Sequence, residues 1–208
     1  MEREIYYKSL GEDPNSGSLG TCTFDPRTKT RIACQTLKEI LESQSIVPNT
    51  AHSTFPRRLC VSRLDEDYNR VYRPQGMVFE TSEKPAVYIP FDLMALTNGK
   101  NLDSTDYYSK TLLGYERFLF RNYEEMIRKF KDPKQAIVEL NEFRKEHSLP
   151  EIPSSKLRYN EICFIGNEPV KVSPLALIGE GKEVANLAEK YNVKLYANIN
   201  SYLNNERR

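Results

Sequence analysis

The chain has 208 residues, of which 39% are hydrophobic and 28% charged, a length and composition that suit one folded domain with its own core and exclude a wholly disordered chain. No apolar run approaches the ~18 residues of a membrane span. Thirty Lys and Arg against 29 Asp and Glu leave a formal net charge of +1, so no molecule-wide field draws the chain to nucleic acid or to a membrane, and any basic patch must be local.

Met1 is followed at once by charged "EREI", which does not read as a signal peptide, and four cysteines read as free thiols suit a reducing cytoplasm. "EIYYKSL" is rich in β-formers and predicts a first strand; residues 11–30 collect Gly, Pro, Asn, Asp and Ser and predict a long loop, a candidate substrate loop. "CQTLKEILESQSIVP" sets Leu37, Ile40 and Leu41 on one helical face, with Pro48 closing the segment. "RLCVSRL", "GMVFET" and "PAVYIPFDLMAL" predict strands. From Ser109 to His147 the period becomes helical, one run ending at Asp132-Pro133 and a second carrying Ile137, Val138, Leu140 and Phe143. "EICFIG" and "VKVSPLALIG" return to strand character, "GKEVANLAEKYN" predicts a brief helix, and "VKLYANINSYL" a closing strand with a polar tail. The order predicts a single α+β domain over residues 1–208, with helices inserted at about 109–147 before the last strands.

Conventional catalytic signatures are missing: no G-x-G-x-x-G, Walker loop, H-E-x-x-H or G-x-S-x-G occurs. The two histidines are His52 and His147, and His52 lies in a polar loop where a solvated ring is the ordinary outcome. Cys22, Cys34, Cys60 and Cys163 are far apart, and three sit beside apolar residues. They read as buried free thiols, neither a disulfide frame nor a zinc site. The acids of "LDEDYN" at 64–69 are too nearly consecutive to converge on one ion, which disfavours a metal-dependent nuclease or hydrolase. Arg57 and Arg58 beside Pro56 suit a nucleic-acid phosphate only weakly.

What remains is an ordered set of motifs: "L-x-x-I-L-x-x-x-x-I-x-P" from Leu37, "V-S-R" at 61–63, "N-E-I-x-F-I" at 160–165, and "V-S-P-L-A-L-I" at 172–178, followed by a helix and a terminal strand. This pattern, spanning residues 5 to 203, resembles the ADP-ribosyltransferase fold and is most similar to DarT-type toxins and related phage or bacterial NAD-dependent transferases. The resemblance implies a split β-sheet core with helices. It also implies NAD as substrate without a metal, and transfer of ADP-ribose to a macromolecule. A DNA base is the implied acceptor, with protein or RNA as alternatives, and an antitoxin is an implied partner. Such enzymes usually carry His or Arg in the first strand, where this chain has Tyr6 and Tyr7.

Under that resemblance Glu161, at the mouth of an apolar strand, is the catalytic carboxylate. Breaking the nicotinamide–ribose bond passes through a cation-like sugar, and a carboxylate facing it stabilises the transition state more than the ground state. Arg63 is then a catalytic and pyrophosphate-clamping residue, because its planar donors match phosphate oxygens. Tyr6, Tyr7, Ser62, Tyr68 and Tyr72 complete the cofactor-binding set. Plainer readings compete: Glu161 paired with Arg158, Arg63 paired with Asp65 or Glu66, and tyrosines that simply pack. A non-catalytic nucleotide- or partner-binding protein on the same fold is the alternative function.

Overall fold

The computed structural model describes residues 4–12, 18–21, 23–24, 31–33, 35–48, 58–64, 71, 73–91, 115–152 and 159–206. Its strands are β1 (Ile5–Ser9), β2 (Gly11–Glu12), β3 (Leu19–Gly20), β4 (Thr23–Phe24), β5 (Arg31–Ala33), β6 (Ser45–Ile46), β7 (Arg58–Arg63), β8 (Gly76–Glu80), β9 (Val87–Ile89), β10 (Glu161–Ile165), β11 (Val170–Lys171), β12 (Ser173–Ile178) and β13 (Lys194–Tyr196). The helices are α1 (Leu37–Ser43), α2 (Tyr123–Lys129), α3 (Pro133–Glu146), α4 (Lys182–Lys190) and α5 (Ile199–Glu206), with a 3₁₀ turn at Tyr115–Phe118.

Seven strands form one sheet in the order β13-β12-β8-β1-β7-β10-β9, every neighbour antiparallel except the β12/β13 pair. The chain is therefore α+β with a mostly antiparallel sheet. Side chains alternate across each strand. Tyr6, Leu59, Val61, Met77, Phe79, Ile162, Phe164 and Leu177 share one core with apolar residues of α1, α2 and α4. Tyr7, Val78, Ala176 and Ile178 face the other way, against Tyr202 and Leu203 of α5. A third cluster joins Ile89 and Phe91 to Phe118, Phe130 and the apolar stripe of α3. Val138 lies off that stripe and is exposed.

Local chemistry sets the element ends. Thr36 caps α1 in a reciprocal box with Glu39, and Gln44 closes it in the left-handed region at φ 49°. The helix thus stops short of Pro48, because Ser45–Ile46 turns aside to pair with Val170–Lys171. The expected continuous run from 109 to 130 is broken in its described part. Phe120 exchanges backbone hydrogen bonds of 2.9 and 3.0 Å with Tyr88, and Asn122 restarts the helix as its N-cap. Asp132 caps α3, with Pro133 in the first turn.

Two expectations are corrected. The segment from Gly11 is not uniformly loop: β2 pairs with β3, and β4 with β5, in short ladders among the described residues. The chain also does not finish as a strand. β13 runs only to Tyr196, after which Asn198 accepts from the Ser201 N–H at 2.9 Å and α5 begins, burying Tyr202 and Leu203. Among the described residues no helix is long and apolar enough to cross a membrane.

Candidate functional site

The β1–β7 ladder is short. Tyr6 pairs with Arg63 and Tyr7 with Ser62, whereas β1 pairs with β8 over five residues and β7 with β10 over four. Beyond Tyr7–Ser62 the next bond across the strands comes from a side chain: the Lys8 ammonium donates to the Cys60 carbonyl at 3.0 Å. Where a sheet strand would normally satisfy that carbonyl with a backbone N–H, a charged group enters instead. Burial is the main reason the Lys8 ammonium sits below its ordinary pKa, while Cys60 and Glu161 act in the opposite direction.

On β10 the Cys163 carbonyl accepts from the Ala86 N–H at 2.8 Å. The backbone of Cys163 therefore points away from β7, so Cys163 and Cys60, which face each other in the register, form a non-hydrogen-bonded pair. Such pairs bring opposed side chains closest, and the two Sγ atoms lie 3.4 Å apart. Alternation puts Glu161 on the same face as Cys163. Continued one residue beyond Ile162–Val61, the register sets Glu161 across from Ser62. One carboxylate oxygen and both sulfurs lie within 4.8 Å of one another. Cys163 is buried; Cys60 and Glu161 are half-buried.

The two thiols share a hydrogen bond. The hydrogen bond from Cys163 pulls Cys60 below the ordinary thiol range against the opposing effect of burial, with help from the positive charges of Arg58 and Lys8. Cys163 is pushed the other way by that same bond and by burial. Two sulfurs and a carboxylate are donors that a zinc-like ion accepts. The Lys8 and Arg58 charges bearing on those sulfurs oppose a divalent cation there.

The opposite face holds a second constellation. Arg63 Nη1 meets Glu4 Oε1 at 2.6 Å, and its guanidinium lies 3.7 Å from the Tyr123 ring centroid. The Tyr6 hydroxyl donates to Glu4 Oε2, and the Tyr88 hydroxyl donates to the same oxygen at 3.0 Å. Burial, then the bond to Glu4, raises the Tyr6 hydroxyl far above its ordinary range. Asn160, fully buried, clasps the Arg63 backbone at both ends: its Oδ1 accepts from Arg63 N–H at 2.8 Å and its Nδ2 donates to Arg63 O at 3.0 Å.

The sequence-derived residues therefore divide. Glu161, Ser62 and Tyr7 share one face of the sheet, while Arg63 and Tyr6 share the other. Ser62 is buried, and Tyr7 is wholly so, its ring over Gly76 and its hydroxyl donating to Arg73 O at 2.9 Å. Arg63 forms an ion pair, as its plainer reading expected, but with Glu4; Asp65 and Glu66 lie outside the described residues, as do Tyr68, Tyr72, Arg158, Arg57, His52, Cys22 and Cys34. His147 is the C-cap of α3, its Nδ1 2.9 Å from Phe143 O. Sequence reasoning passed over Lys8 and Asn160; it read Cys60 and Cys163 as buried free thiols, and both are free, Cys163 buried and Cys60 half-buried, but their pairing across the strands was not foreseen. The available signal for Lys8 was a basic residue inside the first strand, immediately after the two tyrosines.

No family model, curated protein or solved structure matches the chain.

Proposed function

We propose that the chain is an NAD-dependent mono-ADP-ribosyltransferase, which cleaves the nicotinamide–ribose bond and passes ADP-ribose to a macromolecular acceptor. The observation that carries this reading is the placement of Glu161. Its carboxylate stands at the start of β10, beside the point where the β1–β7 ladder stops and where Lys8, which alternation starts on the Tyr6 face, reaches between the strands to the Cys60 carbonyl. A parting of strands beside a carboxylate is what a split sheet core offers a dinucleotide.

In this reading Glu161 holds a ribose hydroxyl and faces the positive charge that grows on the sugar as nicotinamide leaves. Within hydrogen-bond reach of the acceptor, the same carboxylate takes its proton. Lys8 fills the place of the first-strand His or Arg, with three donors suited to a ribose hydroxyl or a phosphate oxygen. Arg63 is reassigned from clamp to positioning residue: its ion pair with Glu4 lies on the far face and ties β1 to β7 just before they separate. The acceptor suggested by the resemblance is a DNA base, with protein or RNA as alternatives and an antitoxin as a partner.

The test is incubation of the full chain with NAD and, in turn, DNA oligonucleotides, RNA and protein, followed by assay of free nicotinamide and of acceptor mass. Wild type releases nicotinamide, and Glu161→Gln lowers the rate by about 10²-fold or more, the scale of losing one transition-state electrostatic contact. The commitment of Arg63 to Glu4 favours a second reading, a nucleotide-binding protein without turnover. NAD binding with no nicotinamide release from wild type under any acceptor establishes that reading and rejects the first.

A further inference from the structure

We propose that Cys60 and Cys163 form a peroxide-reactive site, with Cys60 as the attacked thiol and Cys163 as the resolving one, closing to a cross-strand disulfide beside Glu161. The inference stands on the geometry of β7 and β10 and does not depend on the transferase reading.

The sulfurs are already in contact at 3.4 Å, and the non-hydrogen-bonded register holds the opposed strands at their closest approach. Bond formation needs the sulfurs to close to about 2.05 Å by side-chain rotation. Access distinguishes the two: Cys60 is half-buried and Cys163 is 1% exposed, so a small oxidant reaches Cys60 first. The proton distribution points the same way: Arg58 favours the thiolate at either sulfur, but Cys60, hydrogen-bonded by Cys163, is the one held below the ordinary thiol range, and the thiolate is the nucleophile. The Cys60 thiolate attacks one peroxide oxygen and breaks the O–O bond, giving a sulfenic acid and hydroxide. Cys163 then attacks the sulfenic sulfur, its proton and the expelled hydroxyl leaving as water. In balance, two thiols and one peroxide become one disulfide and two waters. A small thiol returns the pair to the starting state by exchange.

The oxidised bond lies within reach of Glu161, whose carboxylate and both sulfurs are grouped within 4.8 Å. Oxidation replaces a thiol and thiolate pair with an uncharged bridge and so alters the field at that carboxylate.

The experiment uses the full chain carrying Cys22→Ser and Cys34→Ser, so that only this pair reports, treated with hydrogen peroxide at near-stoichiometric amounts. The expected result is a Cys60–Cys163 crosslinked peptide by mass spectrometry, reversed by dithiothreitol. In the same background Cys163→Ser accumulates a dimedone-trappable sulfenic acid at Cys60, while Cys60→Ser leaves Cys163 unlabelled. Circular dichroism of each variant establishes that it is folded. The proposal is overturned by a folded protein whose two thiols stay reduced, by first attack at Cys163, or by purification with a tightly held zinc-like ion that blocks peroxide until a chelator removes it.

Discussion

Ser62 and Arg63 are neighbours on one strand, yet they open onto opposite situations. On the Arg63 side, one carboxylate, Glu4, receives a guanidinium and two phenols, with the Tyr123 ring covering the cation. Those contacts hold β1, β7 and β9 together, although the buried Tyr123 hydroxyl has no hydrogen-bond partner among the described residues. On the Ser62 side, a thiol pair and a carboxylate converge where a backbone ladder has stopped, and the Lys8 ammonium reaches between the strands to the Cys60 carbonyl. There a lysine takes over a sheet's hydrogen bond, which places charge at a point that a structural strand would leave neutral. The difference teaches that two adjacent residues of one strand pose two separate questions, the Arg63 face answering to stability and the Ser62 face to reactivity.

Substitutions on the two sides should separate those quantities. The largest stability effect is expected at Arg63→Met, which removes the ion pair and the cation over Tyr123 and leaves Glu4 carrying its charge among phenols. Urea midpoints should fall by the equivalent of about 3 kcal/mol, and an unchanged midpoint would break the comparison at its strongest point.

Alkaline titration comes next. Burial foremost, together with Glu4, pushes the Tyr88 hydroxyl from 10.0 up to about 12, and Tyr6 moves in the same direction. A folded pKa above the unfolded one means that the unfolded chain releases its proton first as pH rises. The stabilisation is therefore complete below 10.0 and is lost as pH climbs toward about 12. Denaturation at about pH 9 and about pH 11 should show that decline, shallower in Tyr88→Phe than in wild type.

Tyr6→Phe keeps the ring, which packs against Phe79 and Phe164, and deletes only the donor to Glu4. A loss of about 1 kcal/mol is expected in the same denaturation assay. The smallest stability effect is expected at Lys8. Lys8→Met removes a buried ammonium along with the bond to Cys60 O, two opposed contributions that should leave the midpoint within about 1 kcal/mol of wild type. Under the transferase reading the same variant loses NAD affinity, measured by calorimetry, so an unaltered affinity removes Lys8 from the site.

The sequence by itself determined much of the local order. Short runs of β-formers and apolar residues in "IYYKS", "RLCVSR" and "EICFI" mark β1, β7 and β10; Thr36 with Glu39 encloses the start of α1; Asp132-Pro133 opens α3. These are short-range effects of side-chain period and capping, which need no knowledge of what lies across the sheet. The candidate carboxylate, Glu161, was legible for the same reason: a charge at the edge of an apolar run.

Only the tertiary structure decided what each residue meets. That Arg63 takes Glu4 fifty-nine positions away, that Cys60 opposes Cys163 at a separation of 103, and that Phe120 bonds to Tyr88 and interrupts a helical period are properties of register. A one-residue slip would send every side chain of a strand to the other face. The closing helix follows the same logic: "NINSYL" supports strand or helix locally, and burial of Tyr202 and Leu203 against the Tyr7 face of the sheet selects helix. Pairing across the sheet sets which face each charge occupies, and no local pattern along the chain carries that information.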